Sequence, residues 1–336
     1  MAGGTVAGMR RRALGHSGLT VSRLALGTMT WGVHTDPDDA AAQLKAFLDA
    51  GGDLVDTADV YGDGDAEMII GALLNGVVSR RDIIVATKSG ARPGAGPNCS
   101  RWHLLAALDA SLARLGTDHV DLWQIHGYDP RTPVEETLAA ADHAVSSGRA
   151  RYVGLSAVPA WHLARAATWQ TAWPGRTPLI SVQTEYSLLC RYPERELIPA
   201  CTALGVGVLA RSPLGRGVLT GKYRGGTPSD SRAALAAASP LAPDPAPASA
   251  YLDPHSAGIV EAVATAADGL GVSPVAVSLS WVRDRPGVVS SVVGARTVGQ
   301  LLGSLRSESL ELPGEIRLAL DDVSAGTVTT TGEGVG

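Results

Sequence analysis

Four polar residues stand at or just past the ends of short apolar runs: Asp56 in LVDTADVYG, Tyr61 just beyond it, Lys88 in DIIVATK and His126 in VDLWQIHG. Only three lysines (Lys45, Lys88 and Lys222) occur among the 28 basic residues; the rest are arginine. Arginine keeps its charge at any working pH, whereas a buried ammonium can change its proton affinity. A lysine ending an apolar strand, with an aspartate, a tyrosine and a histidine ending neighbouring strands, therefore reads as a set of proton-handling groups. Tyrosine, with an ordinary pKa of about 10, is a poor acid at neutral pH. An adjacent ammonium stabilises the phenolate, and a carboxylate beside the ammonium holds it charged and oriented. A neutral histidine can donate a hydrogen bond to a carbonyl oxygen that is becoming an alkoxide. Together these groups make a proton donor and an oxyanion site, which suits carbonyl reduction. The histidines show no ligand spacing such as HExxH, so no metal is expected.

Such a set needs elements that bring strand ends together. Apolar, β-branched runs recur along the chain, each followed by a longer Ala/Leu-rich segment with helical spacing. The pattern predicts strands near 23–27, 53–57, 82–87, 119–125, 150–155, 179–184, 206–210 and 288–293. Helices are predicted near 37–50, 65–77, 100–115, 133–147, 160–169, 194–204, 257–268 and 297–306. Strands alternating with helices in this way fit a parallel sheet closed into a single-domain (β/α)8 TIM barrel over 12–322. In that fold every strand opens its C-terminal end on one face, where Asp56, Lys88 and His126 would converge with Tyr61. Ser100 and Thr132-Pro133 read as helix starts, Gly148 and Gly205 as helix ends. The RRALGHSGLTVS stretch predicts a hairpin capping the barrel floor.

Two segments break the rhythm. Residues 224–255, a long Pro/Ala-rich loop after strand seven, would hang over the catalytic face, either as a lid or as a tolerated insertion. Residues 1–11 and 325–336 read as flexible termini. With 45% hydrophobic and 18% charged residues, the composition fits a chain with a sizeable core. A net charge of −5 argues against a nucleic-acid or anionic-membrane partner. No run of about 18 or more apolar residues is present. Three cysteines (Cys99, Cys190, Cys201) without a CxxC pair, and no apolar N-terminal run of the signal-peptide kind, point to a cytoplasmic setting. Gly205-Val-Gly207 resembles a dinucleotide fingerprint, but it enters a strand from a helix, the reverse of what the fingerprint needs. Asp63-Gly-Asp65-Ala-Glu67 lacks the alternating ligands of a calcium loop and reads as a turn into a helix. Cys190 reads as packing.

In order along the chain, LALGTMTWG, DTADVYG, VATKSG, DLWQIHG, RYVGLS, VQTEYSLL, RSPLGRGVLTGKY and VVGARTVGQL resemble the aldo-keto reductase superfamily. The resemblance implies a (β/α)8 barrel binding NADPH/NADP+ in an extended pose. It implies Tyr61 as general acid/base, Lys88 and Asp56 as the groups that tune it, and His126 as the group polarising the carbonyl. The steroid double-bond reductases of the family carry Glu at the His126 position, so His126 favours carbonyl reduction. For the cofactor, Gly27, Thr28 and Met29 match the first strand–helix loop, beside the ribose. Ser156 and Gln183 match the residues holding the carboxamide, and Tyr186 the ring stacked on the nicotinamide. Ser212, Leu214, Gly215 and Arg216 match the pyrophosphate loop, with Lys222 at its end. Gly294, Arg296 and Gln300 match the residues holding the 2′-phosphate and adenine, and Ser304 is a further adenine contact. A charge-assisted bond from Arg296, at ~1.5–3 kcal/mol, would favour NADPH over NADH by roughly ten- to a hundredfold. Two departures stand out: Ala157 replaces the family's Asn, and the acidic and Asn adenine ligands are missing from Gly299–Ser304. Trp31, His34, Trp102 and Tyr128 are substrate-pocket candidates. The HGYDPRTPVEETL stretch resembles bacterial members acting on ketosugars or secondary metabolites. An alcohol or sugar dehydrogenase working in the oxidative direction, and a cofactor-sensing subunit like the potassium-channel β subunits, remain as alternatives.

Overall fold

Inward side chains low in the sheet are apolar and those at its mouth are polar, and this gradient sets the architecture. The structure, a computed structural model, describes residues 8–229, 231, 233–234 and 247–326. Within them, β3 (Leu24–Gly27), β4 (Leu54–Asp56), β5 (Ile84–Ser89), β6 (Val120–His126), β7 (Ala150–Ser156), β8 (Leu179–Glu185), β9 (Gly207–Arg211) and β10 (Val288–Gly294) pair in parallel. β10 bonds to both β3 and β9, so the sheet closes into a (β/α)8 barrel, as expected. Leu54, Ala86, Leu122 and Leu209 fill its lower interior. Outward residues such as Val85, Trp123 and Val208 pack under the helical layer.

That layer contains α1 (Pro37–Asp49), α2 (Asp65–Gly76), α3 (Arg101–Leu115), α4 (Val134–Ser146), α5 (Ala160–Thr171) and α6 (Leu197–Leu204). Each follows its strand as the periodicity predicts. The seventh position differs. The segment near 257–268 is helical, as α7 (Pro254–Leu270), but it lies outside the barrel layer. The place before β10 belongs to α8 (Pro274–Arg283), capped by Ser273 on the Ala276 N–H. Every residue of α8 from Ala276 to Arg283 is buried, so it carries no polar stripe by which a period could be read. α9 (Val298–Leu305) follows β10. An unanticipated α10 (Gly314–Val323) packs on α7.

The expected hairpin is β1 (Arg11–Ala13) against β2 (Thr20–Ser22), and its Leu14 and Val21 close the barrel floor with no exposed surface. The turn requires Gly15, at φ 59°, because a Cβ there would lie 2.4 Å from the Ile180 carbonyl oxygen. Met9 is buried and its N–H bonds to the Ala50 carbonyl at 3.3 Å, so the chain is tied down before residue 11. The outermost parts of both termini expected to be flexible (1–7 and 327–336) lie outside the described residues, as do 230, 232 and 235–246 of the expected lid. Among the described residues no single helix is long and apolar enough to cross a membrane. Cys99, Cys190 and Cys201 are all buried, and burial pushes the thiols of Cys99 and Cys201 up to about 12.

Candidate active site

Side chains alternate along a strand, so the inward rows climb Leu54–Asp56, Ala86–Lys88 and Leu122–Gln124–His126 to the mouth of the barrel. Lys88 has no exposed surface; its Nζ donates to Asp56 Oδ2 at 2.8 Å and to the Thr57 carbonyl at 2.7 Å. Burial pulls its pKa down, but the charges of Asp56 and Tyr61 outweigh that and hold it above the ordinary lysine value. The other Asp56 oxygen accepts from Gln183 Nε2 at 2.8 Å and Gln124 Nε2 at 3.4 Å. The carboxylate is thus held on both sides.

Tyr61 is placed by a tight turn. Gly62, Asp63 and Gly64 take φ of 58°, 54° and 99°, folding the chain back into α2. A Cβ on Gly64 would lie 2.7 Å from Arg114 Cδ, so no other residue fits there without displacing that side chain. The turn leaves Lys88 Nζ 5.0 Å from the Tyr61 ring centroid, and the Tyr61 and His126 rings meet edge to face at 6.3 Å and 87°. Burial, with Lys88 and Arg211 nearby, lowers His126 to about 3, so its imidazole is neutral at working pH. Its Nδ1 is buried and bonded to no described residue. A buried polar atom left open in this way is suited to meet a bound group.

The remaining cofactor positions divide. In the sheet register Ser156 lies between His126 and Gln183, and Gln183 spends its amide on Asp56. Gly27 ends β3, Thr28 bonds back to the Asp56 carbonyl at 3.2 Å, and Met29 is 44% exposed. Leu214 (φ −98°) and Gly215 (φ 54°) have opposite hands, a pairing that turns successive N–H groups to one side and can cradle an anion. Ser212 (φ 51°) and Arg216 (φ 58°) hold strained left-handed backbones in the same loop. Lys222, exposed at its end, lies 5.2 Å from the Tyr223 ring. Gly294 and Arg296 lead into α9. The Gln300 side chain accepts from the Arg296 N–H at 2.9 Å.

Several expectations are corrected. Tyr186 is not a stacking ring at the mouth. It is buried outside the barrel against Trp281, donating to Glu194 Oε1 at 2.6 Å and accepting from Arg285 at 3.1 Å. Tyr186, Glu194 and Arg285 line a groove of about 590 Å³ on the outer flank, away from the tetrad. The Arg216 guanidinium turns inward to Glu185, at 2.6 Å, and does not face a phosphate position. Ser304 is buried and donates to the Gln300 carbonyl at 3.2 Å, so it cannot reach an adenine. Trp31 has no exposed surface and bonds to Gln43 at 3.3 Å; it is core, not pocket. His34 is exposed, Trp102 is 80% exposed, and Tyr128 packs in a ring cluster with Trp161 and His162. Sequence reasoning missed Arg211 and Gln124. Both follow from the rule that selected Lys88, a polar residue two beyond an inward apolar one (Leu209, Leu122).

The Aldo/keto reductase family model matches residues 23–324. An uncharacterized oxidoreductase, YrpG, of Bacillus subtilis (strain 168) is 36% identical over 93% of this chain and 95% of its own. A probable voltage-gated potassium channel subunit beta of Oryza sativa subsp. japonica is 37% identical over 89% and 91%. The L-glyceraldehyde 3-phosphate reductase of Escherichia coli (strain K12) is 38% identical over 67% of each chain.

Proposed function

The chain belongs to the aldo/keto reductase family, as an NAD(P)-dependent oxidoreductase, and on that footing we propose that it reduces an aldehyde or ketone to an alcohol using NADPH. The observation that carries this reading is the convergence of Asp56, Lys88, Tyr61 and a neutral His126 at one mouth. A bound nicotinamide cofactor supplies hydride to the carbonyl carbon. The chain's residues handle the oxygen. His126 donates a hydrogen bond to it as charge develops, and Tyr61 delivers the proton. Lys88, held charged by Asp56, compensates the phenolate left behind, and no covalent intermediate with the protein is needed. The Leu214–Gly215 backbone is suited to a pyrophosphate and Arg296 to a 2′-phosphate. The three buried thiols suit a cytoplasmic setting.

The test is NADPH oxidation by the purified protein across short aldehydes, phosphorylated aldehydes, ketones and ketosugars, with Tyr61→Phe in parallel. Phosphorylated aldehydes are included because one relative is named for such a substrate. Turnover that collapses in the variant supports the reading; turnover that survives it overturns the assignment of Tyr61. Arg296→Ala should raise the KM for NADPH by roughly ten- to a hundredfold with kcat kept. A cofactor-sensing role, favoured by the relatives named as channel subunits, would show tight NADPH retention with negligible turnover.

A further inference from the structure

A second ion pair lies behind the tetrad and takes no part in the chemistry above. Glu67, in the first turn of α2, is fully buried. Its Oε1 accepts from Thr87 Oγ1 at 2.5 Å. Its Oε2 accepts from Arg114 Nε at 2.8 Å, and Arg114 Nη2 lies 2.7 Å from the same oxygen. Thr87 faces outward on β5 beside the inward Lys88, so the pair grips the strand at the catalytic lysine. Arg114, near the end of α3, also donates to Ser111 Oγ at 3.3 Å, which fixes its side chain along its own helix.

The same arginine covers the turn that carries Tyr61. A Cβ on Gly64 would lie 2.7 Å from Arg114 Cδ and 2.9 Å from its Nε, so the bare backbone of the turn rests on the arginine stem. The chain just before Tyr61 is bound to β5: the Thr57 N–H donates to the Ala86 carbonyl at 2.8 Å and the Asp59 N–H to the Lys88 carbonyl at 3.0 Å. Tyr61 is therefore held by β5 on one side and by Arg114 on the other. Lys88 belongs to a strand and Tyr61 to a turn, so their spacing depends on what ties the two together.

We infer that Glu67 and Arg114 are positioning residues for Tyr61: anchored to β5 at Thr87 and braced against Gly64, the pair holds the tyrosine turn at a fixed distance from Lys88. Neither residue touches the reacting atoms. Loss of the arginine stem leaves Lys88 on Asp56 but lets the turn shift, and a displacement of about 1 Å at a reacting group can cost roughly a hundredfold in rate. The kinetic part of this inference rests on the carbonyl-reductase reading; the geometric part does not.

Arg80 supplies the control. It pairs with Asp121 at 2.7 Å near the opposite end of β5, and its side chain is 21% exposed against 26% for Arg114. Arg114→Met should lower kcat by about ten- to a hundredfold and keep the KM for NADPH within about twofold. It should also raise the solvent deuterium isotope effect on kcat, because proton delivery by Tyr61 slows. Arg114→Lys, which retains a donor for Glu67, should recover most of the loss, and Arg80→Met should keep kcat. Glu67→Gln keeps the acceptor for Thr87 while removing the charge that holds Arg114; it should show the same signature and serves where Arg114→Met does not fold. The edge-to-face contact of Tyr61 with His126 gives a readout without turnover. The His126 ring-proton signal, assigned by its loss in His126→Gln, should move in Arg114→Met towards its position in Tyr61→Leu. An unmoved His126 signal in the folded variant overturns the inference. So does a fall in kcat with an unaltered isotope effect, or an equal fall in Arg80→Met, as a purely structural pair would give. Absence of turnover with every carbonyl defeats the reductase reading instead, and the His126 signal still decides this one.

Discussion

The barrel mouth has two sides that use buried charge differently. On the β4–β6 side, one cation meets one anion: Lys88 and Asp56 are matched, and Gln124 and Gln183 satisfy the rest of the carboxylate. On the β8–β9 side, one anion serves several donors. Glu185 accepts from Arg216 at 2.6 Å and 3.0 Å, from Tyr251 at 2.8 Å and from Arg211 at 3.4 Å. The first arrangement fixes an ammonium beside a tyrosine and a histidine. The second ties β8, β9 and the loop at Arg216 to Tyr251, beyond the long insertion. Buried ion pairs can thus tune a reacting group or clamp a scaffold, and the partners left open show which.

The contrast makes its strongest prediction at Lys88. Lys88→Met should lower kcat by about 10²- to 10⁴-fold in a steady-state assay with the fold retained. Loss of folding instead would make the β4–β6 side a clamp like the other. Glu185→Gln is the converse. It leaves two arginines short of their anion and should cost about 3–5 kcal/mol in denaturant unfolding. A variant of full stability but no activity would put Glu185 with the reacting groups.

A smaller effect concerns pH. His126 has a folded pKa of about 3, below its ordinary value, so between about 3 and 6.5 the unfolded chain binds the extra proton and stability falls as pH falls. Wild type should lose about 1–2 kcal/mol by pH 5 relative to His126→Gln, seen as converging denaturation midpoints. The smallest effect lies at the seam of the two sides, where Ala157 holds a φ of 52° beside Gln183. Ala157→Asn should stabilise the fold by about 0.5–1 kcal/mol, because Asn tolerates the left-handed region better than Ala. No gain in melting temperature would count against strain at that position.

The barrel and the β4–β6 side were legible because both rest on period. A two-residue alternation brings Asp56, Lys88 and His126 to one end of their strands, and a helical stripe marks α1 to α6. α8 escaped because it is buried on all sides, and a helix without a polar face shows no stripe. The β8–β9 side was harder for a different reason. Motif position places Tyr186 and Arg216 near the mouth, but which way a side chain turns depends on distant partners. Tyr186 is drawn outward by Glu194 and Arg285, and Arg216 inward by Glu185. Tyr186 and Arg285 stand 99 residues apart and Arg216 and Glu185 stand 31 apart, and no local pattern encodes such contacts.

The three buried cysteines bear on how long such a protein lasts in use. Aldehydes, and the unsaturated carbonyls that accompany them, are electrophiles that add to thiolates. With Cys99 and Cys201 held at about 12 and all three sulfurs shielded, almost no thiolate meets them at neutral pH. A catalyst that concentrates reactive carbonyls at its own mouth thereby exposes no soft nucleophile to them. The same shielding means that a cysteine introduced on the surface would be the single readily alkylated thiol among the described residues, a clean attachment point for a probe or a support.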